Sequence, residues 1–305
     1  MPDGVFRALL GLMAACFAAL VLWFLVAMVS QARPAFSTLG FSWIVQKTWD
    51  PPHQKFGLLP FVLGTLETTA IALCIAVPVG LGTAIALAYL VPGRLRAALS
   101  TAVELLAAVP SVVYGLFGLI VLAPVFRSTV EPALTSALGW TGLFGGPDEG
   151  VGLLLAGVIL SVMILPTMVA VSRDVLAVVP HEQVEGAMAL GATRWQVLRK
   201  VVLPEARTGL LGAFTLATGR ALGETVAVAI VIGNSPYIAH SLKSPAATLP
   251  SLIVNNFGEA TGLELSTLFG AGLVLLVIGV AVNSVARWLV RSAARSQAAI
   301  ARGAP

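Results

Sequence analysis

The chain has 305 residues, of which 58% are apolar and only 10% charged. Soluble domains carry roughly a quarter charged residues, so this composition excludes a water-soluble globular protein and indicates an integral membrane protein. Eighteen basic against 14 acidic residues leave a net charge of only +4, and most basic residues flank apolar runs, so the charge reads as topology and not as a nucleic-acid footprint.

Six apolar runs are long enough to cross a bilayer at about twenty residues per crossing. They lie near 8–30, 58–91, 101–126, 151–179, 206–233 and 267–290. The first is followed by Ser30-Gln31-Ala32, which loosely resembles a signal-peptide cleavage site. Its apolar core of about twenty residues exceeds a signal core, so a retained helix is predicted. Cys16 and Cys74 lie inside apolar runs and read as small buried hydrophobes, not as a disulfide. The second run is about 50 Å long at helical rise, so it should tilt, bend near Pro78 or project into water. In the third, Ser111 and Tyr114 follow Pro110, where a broken turn frees backbone groups to line a cavity; interhelical hydrogen bonding is the plainer role for both. Glu67, beside Thr65, Thr68 and Thr69, is expected to mark an aqueous edge, and so is Glu104 at the opposite face. Arg173 and Asp174 should pair at the inner boundary.

The loops that alternate with these runs differ in character. Residues 34–57, 127–150 and 235–266 are rich in aromatic and turn residues, including Trp43, Trp49-Asp50-Pro51-Pro52 and Gly145-Gly146-Pro147. They read either as connectors with interfacial aromatics or as a docking surface for an external protein. With the N-terminus inside, one side of the membrane collects Arg7, Arg94, Arg96, Arg173, Arg194, Arg199, Lys200, Arg207, Arg287, Arg291, Arg295 and Arg302. The other receives only Arg33, Lys47, Lys55, Arg127 and Lys243. Positive charge is retained in the cytoplasm during insertion, which predicts a multi-pass protein of the cell membrane with both termini cytoplasmic.

Between the fourth and fifth runs lies Glu185–Pro204, EGAMALGATRWQVLRKVVLP, too charged to face lipid and therefore exposed in the cytoplasm. Pro180 suits a first helical turn, and Glu182 and Glu185 complement the positive end of its dipole. Gly191 can end that helix in the left-handed conformation, and Thr193 can cap a second, with Trp195, Leu198 and Val202 on one face. Pro204 marks a break before the next span. Two short helices around a glycine hinge would form a knob on the cytoplasmic surface; a helix lying on lipid headgroups is the other reading.

In the fifth run Arg220 and Glu224 are four residues apart, a spacing that puts both on one helical face. Gly219 and Gly223 form a small-xxx-small pair beside them. The two charges either lock helices together as an ion pair or offer a positive site to a passing oxyanion, with Glu224 orienting Arg220. No G-x-x-x-x-G-K-[ST], H-E-x-x-H or G-x-S-x-G motif occurs, and His53, His181 and His240 are scattered among loops. No catalytic residue, metal site or bound cofactor is expected.

Several stretches carry a family resemblance. Glu185-Gly186-Ala187, Gly191 and Leu203-Pro204 resemble the EAA signature of ABC-importer permeases, with Gly186 where the family has Ala. Trp49-Asp50-Pro51, Phe56-Gly57-Leu58-Leu59-Pro60, Gly64-Thr65-Leu66 and Ala108-Val109-Pro110-Ser111-Val112-Val113-Tyr114-Gly115 are similar to phosphate-importer permeases. Gly219-Arg220-Ala221-Leu222-Gly223-Glu224-Thr225, Val231-Ile232-Gly233-Asn234 and Ser251-Leu252-Ile253-Val254-Asn255-Asn256-Phe257 resemble the PstC branch over its sister PstA. The resemblance spans roughly residues 40–290.

It implies an all-α membrane protein of six transmembrane helices, the type I ABC-importer permease fold with cytoplasmic coupling helices. The expected divisions are a first helix and extracytoplasmic loop (1–57), a permease core with coupling loop 181–204 (58–291) and a frayed cytoplasmic tail (292–305). Implied partners are a PstA-like permease subunit, two copies of a PstB-like ATPase that uses the ATP, and a PstS-like extracytoplasmic phosphate-binding protein. Arg220, Glu224, Ser111 and Tyr114 are the candidate substrate-pathway residues on the physical reading above, and the resemblance assigns Glu185, Gly186, Ala187, Gly191, Leu203 and Pro204 to ATPase coupling. Another oxyanion, sulfate or molybdate, is the rival cargo, and a membrane sensor or scaffold that moves nothing is the rival class.

Overall fold

The computed structural model describes the backbone of residues 2–302 and the side chains of 4–288. In chain order the helices are α1 (Pro2–Leu39), α2 (Leu59–Ile85), α3 (Gly93–Ala108), α4 (Ser111–Phe117), α5 (Ala123–Val125), α6 (Glu131–Leu138), α7 (Leu153–Ala177), α8 (His181–Ala189), α9 (Arg194–Val197), α10 (Leu203–Gly223), α11 (Val226–Val231), α12 (Leu249–Asn256) and α13 (Gly262–Arg302). A two-residue antiparallel hairpin, β1 (Trp49–Asp50) with β2 (Lys55–Phe56), sits in the loop between α1 and α2. Helix α13 runs as far as Arg302, through most of the stretch expected to fray. The side chains of Arg291, Arg295 and Arg302, and residues 303–305 altogether, lie outside the described residues.

Among the described residues five stretches have the length and apolarity to cross a membrane: Gly4–Leu39, Leu59–Leu90, Ser111–Thr141, Leu153–Ala177 and Gly262–Trp288. The second is continuous through Pro78 and ends in a π turn at Ala86–Leu90. The third differs from expectation. Pro110 forces Val109 out of the helical region (ψ 128°), so α3 is a separate helix and the crossing starts at Ser111. It then runs through π turns to Thr141. Glu104 consequently sits on α3, exposed and 4.0 Å from Arg173, not at the start of a span. The fifth run is a broken crossing: α10 ends at Gly223, Glu224 is extended (ψ 127°), and α11 is a short helix beyond it. Interrupted backbone at membrane depth is tolerated only when protein or a water-filled cavity surrounds it.

Glycines let the central helices approach. A Cβ on Gly157 would lie 2.4 Å from Ile71 Cγ2, and one on Gly80 would lie 2.8 Å from Met168 Cγ. Both contacts advance in the same direction along the chain, so α2 and α7 run parallel. Helix α10 runs against α7, with Gly209 facing Val175 and Arg220 reaching Thr167. Ala72, Ile159, Leu160, Ile164, Val228 and Val231 form the core where α2, α7 and α11 meet.

The N-terminal part of α1 touches little of its own chain; burial begins near Ala32 and Ala35, where α1 packs on α13. Pro34 interrupts the helix there, and Ser266 repairs it. Its hydroxyl accepts from Ala35 N–H (2.9 Å) and donates to the Gln31 carbonyl (2.8 Å), so both groups of the opened turn are satisfied. The cysteines are free, as expected, but both are exposed on helix surfaces instead of buried. His53, His181 and His240 are exposed, as expected.

The outer loops are folded, not slack. Trp43 is fully buried with Leu58, Phe61, Leu249 and Leu268, and Trp49 stacks edge-on against Phe56 and Phe61. Loop 142–152 is pinned by Lys243, whose ammonium is wholly buried. It donates to Thr135 Oγ1 (2.8 Å), the Gly146 carbonyl (3.1 Å) and Asp148 Oδ1 (2.5 Å), using all three of its donors. Glu131, also buried, accepts from Gly150 N–H at 3.0 Å.

Candidate coupling surface and membrane-embedded site

The segment 181–204 forms the two short helices its sequence predicts. Pro180 precedes α8 as its cap, and α8 closes in a left-handed turn at Gly191 (φ +84°). There Ala192 N–H donates to the Ala187 carbonyl (3.1 Å) and Gly191 N–H to Met188 (2.9 Å), the Schellman pattern that satisfies the last free carbonyls of a helix. Two residues on, Thr193 and Gln196 cap α9 reciprocally: Gln196 N–H donates to Thr193 Oγ1 (3.3 Å) and Thr193 N–H to Gln196 Oε1 (2.9 Å).

Val197 and Val202 anchor the knob, packed with Ala84, Leu176, Val179 and Ala206. Trp195, Leu198 and Val202 border one cavity, as the expected face requires, and Val197 joins them there; Val197 and Val202 are buried while Trp195 is 65% exposed. The chain passes Leu198–Val202 as a π turn. Glu185, Gly186 and Gly191 are exposed, and Ala187, Leu203 and Pro204 are half-buried at the base. The tip carries Leu190, 91% exposed, flanked by Met188.

Within the membrane, Arg220 sits in the last turn of α10. Its Nη1 donates to Thr167 Oγ1 on α7 (3.0 Å), a partner 53 residues away that no sequence spacing indicates. Of the two readings of Arg220 and Glu224, the ion pair is not formed among the described residues. Helix α10 has ended by then, so the four-residue rule no longer applies, and Glu224 turns toward a small void lined by Thr65, Thr68, Thr69 and Thr248. Among the described residues no carboxylate lies within ion-pair distance of Arg220.

Tyr114 lies close enough to Arg220 to feel its charge, and its hydroxyl donates to the Leu106 carbonyl (2.7 Å), which also accepts from Val109 N–H at the end of α3. Ser111 is half-buried in the first turn of α4. Arg220, Thr167 and Tyr114 thus gather on one side of the α10 break and Glu224 on the other. Arg173 pairs with Asp174 (3.1 Å) as expected; the exposed carboxylate makes the pair worth little. No group of three or more metal-ligating side chains occurs among the described residues.

A family profile for the binding-protein-dependent transport system inner membrane component matches residues 76–295. The phosphate transport system permease protein PstC of Mesorhizobium japonicum is 43% identical over 295 residues, covering 95% of this chain and 90% of that one. The chain belongs to the PstC family of binding-protein-dependent permeases. PstC of Pasteurella multocida is 43% identical over 270 residues, covering 87% and 84%, and a probable PstC of Methanocaldococcus jannaschii is 36% identical over 262 residues, covering 84% and 83%.

Among solved structures, the inward-facing MetNI methionine ABC transporter matches with a TM-score of 0.57 at 20% identity, covering 81% of this chain and 99% of that one. A bacterial ABC transporter that imports the acidic polysaccharide alginate matches with a TM-score of 0.63 at 18% identity, covering 92% and 95%. At such identities the likeness shows the fold alone, that of a type I ABC-importer permease. The chain is a transport subunit of the inner membrane.

Proposed function

We propose that this chain is the permease subunit through which an ATP-driven importer moves inorganic phosphate into the cytoplasm. The observation that carries the cargo is the likeness, across nearly the whole chain, to permeases named for phosphate transport. The chain pairs with a PstA-like permease on two PstB-like ATPases, takes phosphate from a PstS-like binding protein and keeps both termini in the cytoplasm. It holds no cofactor of its own; ATP is consumed by the partner.

The knob is the drive. Exposed Leu190 and Met188 dock with the ATPase, and closure of the ATPases is carried through the Val197–Val202 anchor into α2, α7 and α10. Arg220 is the phosphate contact, supported by its lack of an acidic partner. Ser111 and Tyr114 line the approach, and Glu224 borders the small polar void beside the break in α10. Purified assembly in vesicles should accumulate phosphate only with ATP; a sensor or scaffold would give no uptake.

Coupling has its own test. A β-branched residue at Gly191 must adopt φ near +84°, which costs on the order of 1–2 kcal/mol and distorts the tip. Gly191→Val should leave ATPase activity in place while phosphate moved per ATP drops severalfold. An unchanged ratio would remove the knob from the coupling path.

A further inference from the structure

A groove of about 550 Å³ runs along α10 and α13 below Arg220. At about 30 Å³ per water it has room for an anion with part of its hydration shell. Thr208, Gly212, Thr215 and Gly219 line it from α10, at positions that share one helical face; Asn283 and Arg287 line it from α13. The groove is open: a Cβ on Gly212 would meet nothing within 4 Å, and one on Gly219 would meet only Asn283 Nδ2, at 3.9 Å. Asn283 therefore lies level with the residue before Arg220, and Arg287 follows one turn, about 6 Å, further along α13.

Polarity and charge make this groove more than a seam. Asn283 interrupts the apolar stretch of α13, where a polar side chain turns to a protein interior or a water-filled cavity and not to lipid, and Arg287 opens the basic end of the same helix. Arg287 Nε donates to the Asn283 carbonyl (3.3 Å). Its two terminal nitrogens make no hydrogen bond among the described residues, and no carboxylate lies within ion-pair distance. Next to Thr208 in sequence, Arg207 has buried Nε and Nη2 atoms that make no hydrogen bond among the described residues. Among the described residues, neither Arg220 nor Arg287 has a carboxylate within ion-pair distance.

We propose that this groove is the inner half of the anion route and that Arg287, positioned through Asn283, is a second station for phosphate after Arg220. The proposal rests on the phosphate-import reading. A planar fork of free N–H donors suits a tetrahedral oxyanion, and two stations in series let the anion leave the first without a large barrier. The stripe of small residues could instead admit a helix of the partner permease, which would fill the groove with protein.

The test uses the complete ATP-driven assembly with Cys16 and Cys74 replaced by Ser: the cysteine reaction is run on vesicles with the ATPases outward, and uptake on vesicles with the ATPases inward and ATP enclosed. Thr215→Cys should react with a membrane-impermeant anionic methanethiosulfonate, and inorganic phosphate should slow the reaction. In parallel, Arg287→Gln should lower phosphate uptake about tenfold, the loss of one charge-assisted contact, while Arg287→Lys keeps most of it. A Thr215→Cys assembly that transports but does not react would show a groove filled by protein and overturn the proposal. So would wild-type uptake in Arg287→Gln. Should Arg287→Gln fail to assemble, the cysteine reaction, made with Arg287 intact, still decides. Failure of the phosphate-import reading would look different: the unmodified assembly would take up no phosphate.

Discussion

Arg220→Gln is expected to reduce phosphate uptake about a hundredfold while the ATPases continue to turn over. The argument starts from what Arg220 lacks. A guanidinium at membrane depth ordinarily pairs with a carboxylate, yet among the described residues it hydrogen-bonds only the neutral Thr167 hydroxyl. A charged donor facing an oxyanion contributes roughly 1.5–3 kcal/mol per hydrogen bond, and 1.4 kcal/mol is a factor of ten. Losing the bidentate contact therefore suffices for about two orders of magnitude. Arg220→Lys should retain part of the rate, since it keeps the charge but not the fork. Uptake, ATP hydrolysis and subunit assembly measured on one preparation check this: equal assembly with wild-type uptake would remove Arg220 from the route.

Lys243→Met should destabilise the outer half of the protein by about 3–5 kcal/mol, the typical cost of breaking a buried ion pair from one side. Nothing but protein surrounds the Lys243 ammonium, and it satisfies Thr135, Gly146 and Asp148 together. Removing it strands the Asp148 carboxylate close to buried Glu131 and leaves backbone bonds such as Leu242 N–H to the Leu143 carbonyl (2.8 Å) to hold loop 142–152. Repulsion between the two carboxylates adds to the loss. Thermal unfolding in detergent should show a fall on the order of ten degrees, given a few degrees per kcal/mol for a chain of this size. The double variant with Asp148→Leu should recover much of it, because a buried pair exchanged for apolar groups is often neutral. A single variant that melts with the wild type would mean the cluster is hydrated and the cost overstated.

Local rules read some parts of this chain well. The knob is legible because its determinants are neighbours in sequence: Gly191 supplies the positive φ, and Thr193 and Gln196 cap each other across three residues. Four of the spans are legible from length and apolarity, which membrane thickness fixes. Elsewhere the local pattern misleads. The apolar run through 101–126 hides Pro110, whose constraint on Val109 moves the crossing to Ser111. The Arg220–Glu224 spacing assumes a helix that has already ended at Gly223.

Long-range features left no periodic trace. Thr167 meets Arg220 across 53 residues, Lys243 meets Asp148 across 95, and Ser266 repairs the Pro34 turn from the far end of the chain. Each is a polar side chain whose partner is chosen by packing. Lys243 in particular reads in sequence as one more positive charge on the outer side, since nothing adjacent to it announces burial.

The most direct measurement is uptake of radiolabelled phosphate by the reconstituted assembly, with and without ATP, against an excess of unlabelled phosphate, sulfate or molybdate. Phosphate import through this chain predicts ATP-dependent accumulation that unlabelled phosphate suppresses and sulfate and molybdate leave intact. Suppression by sulfate or molybdate as strong as by phosphate, or no accumulation at all, would contradict it.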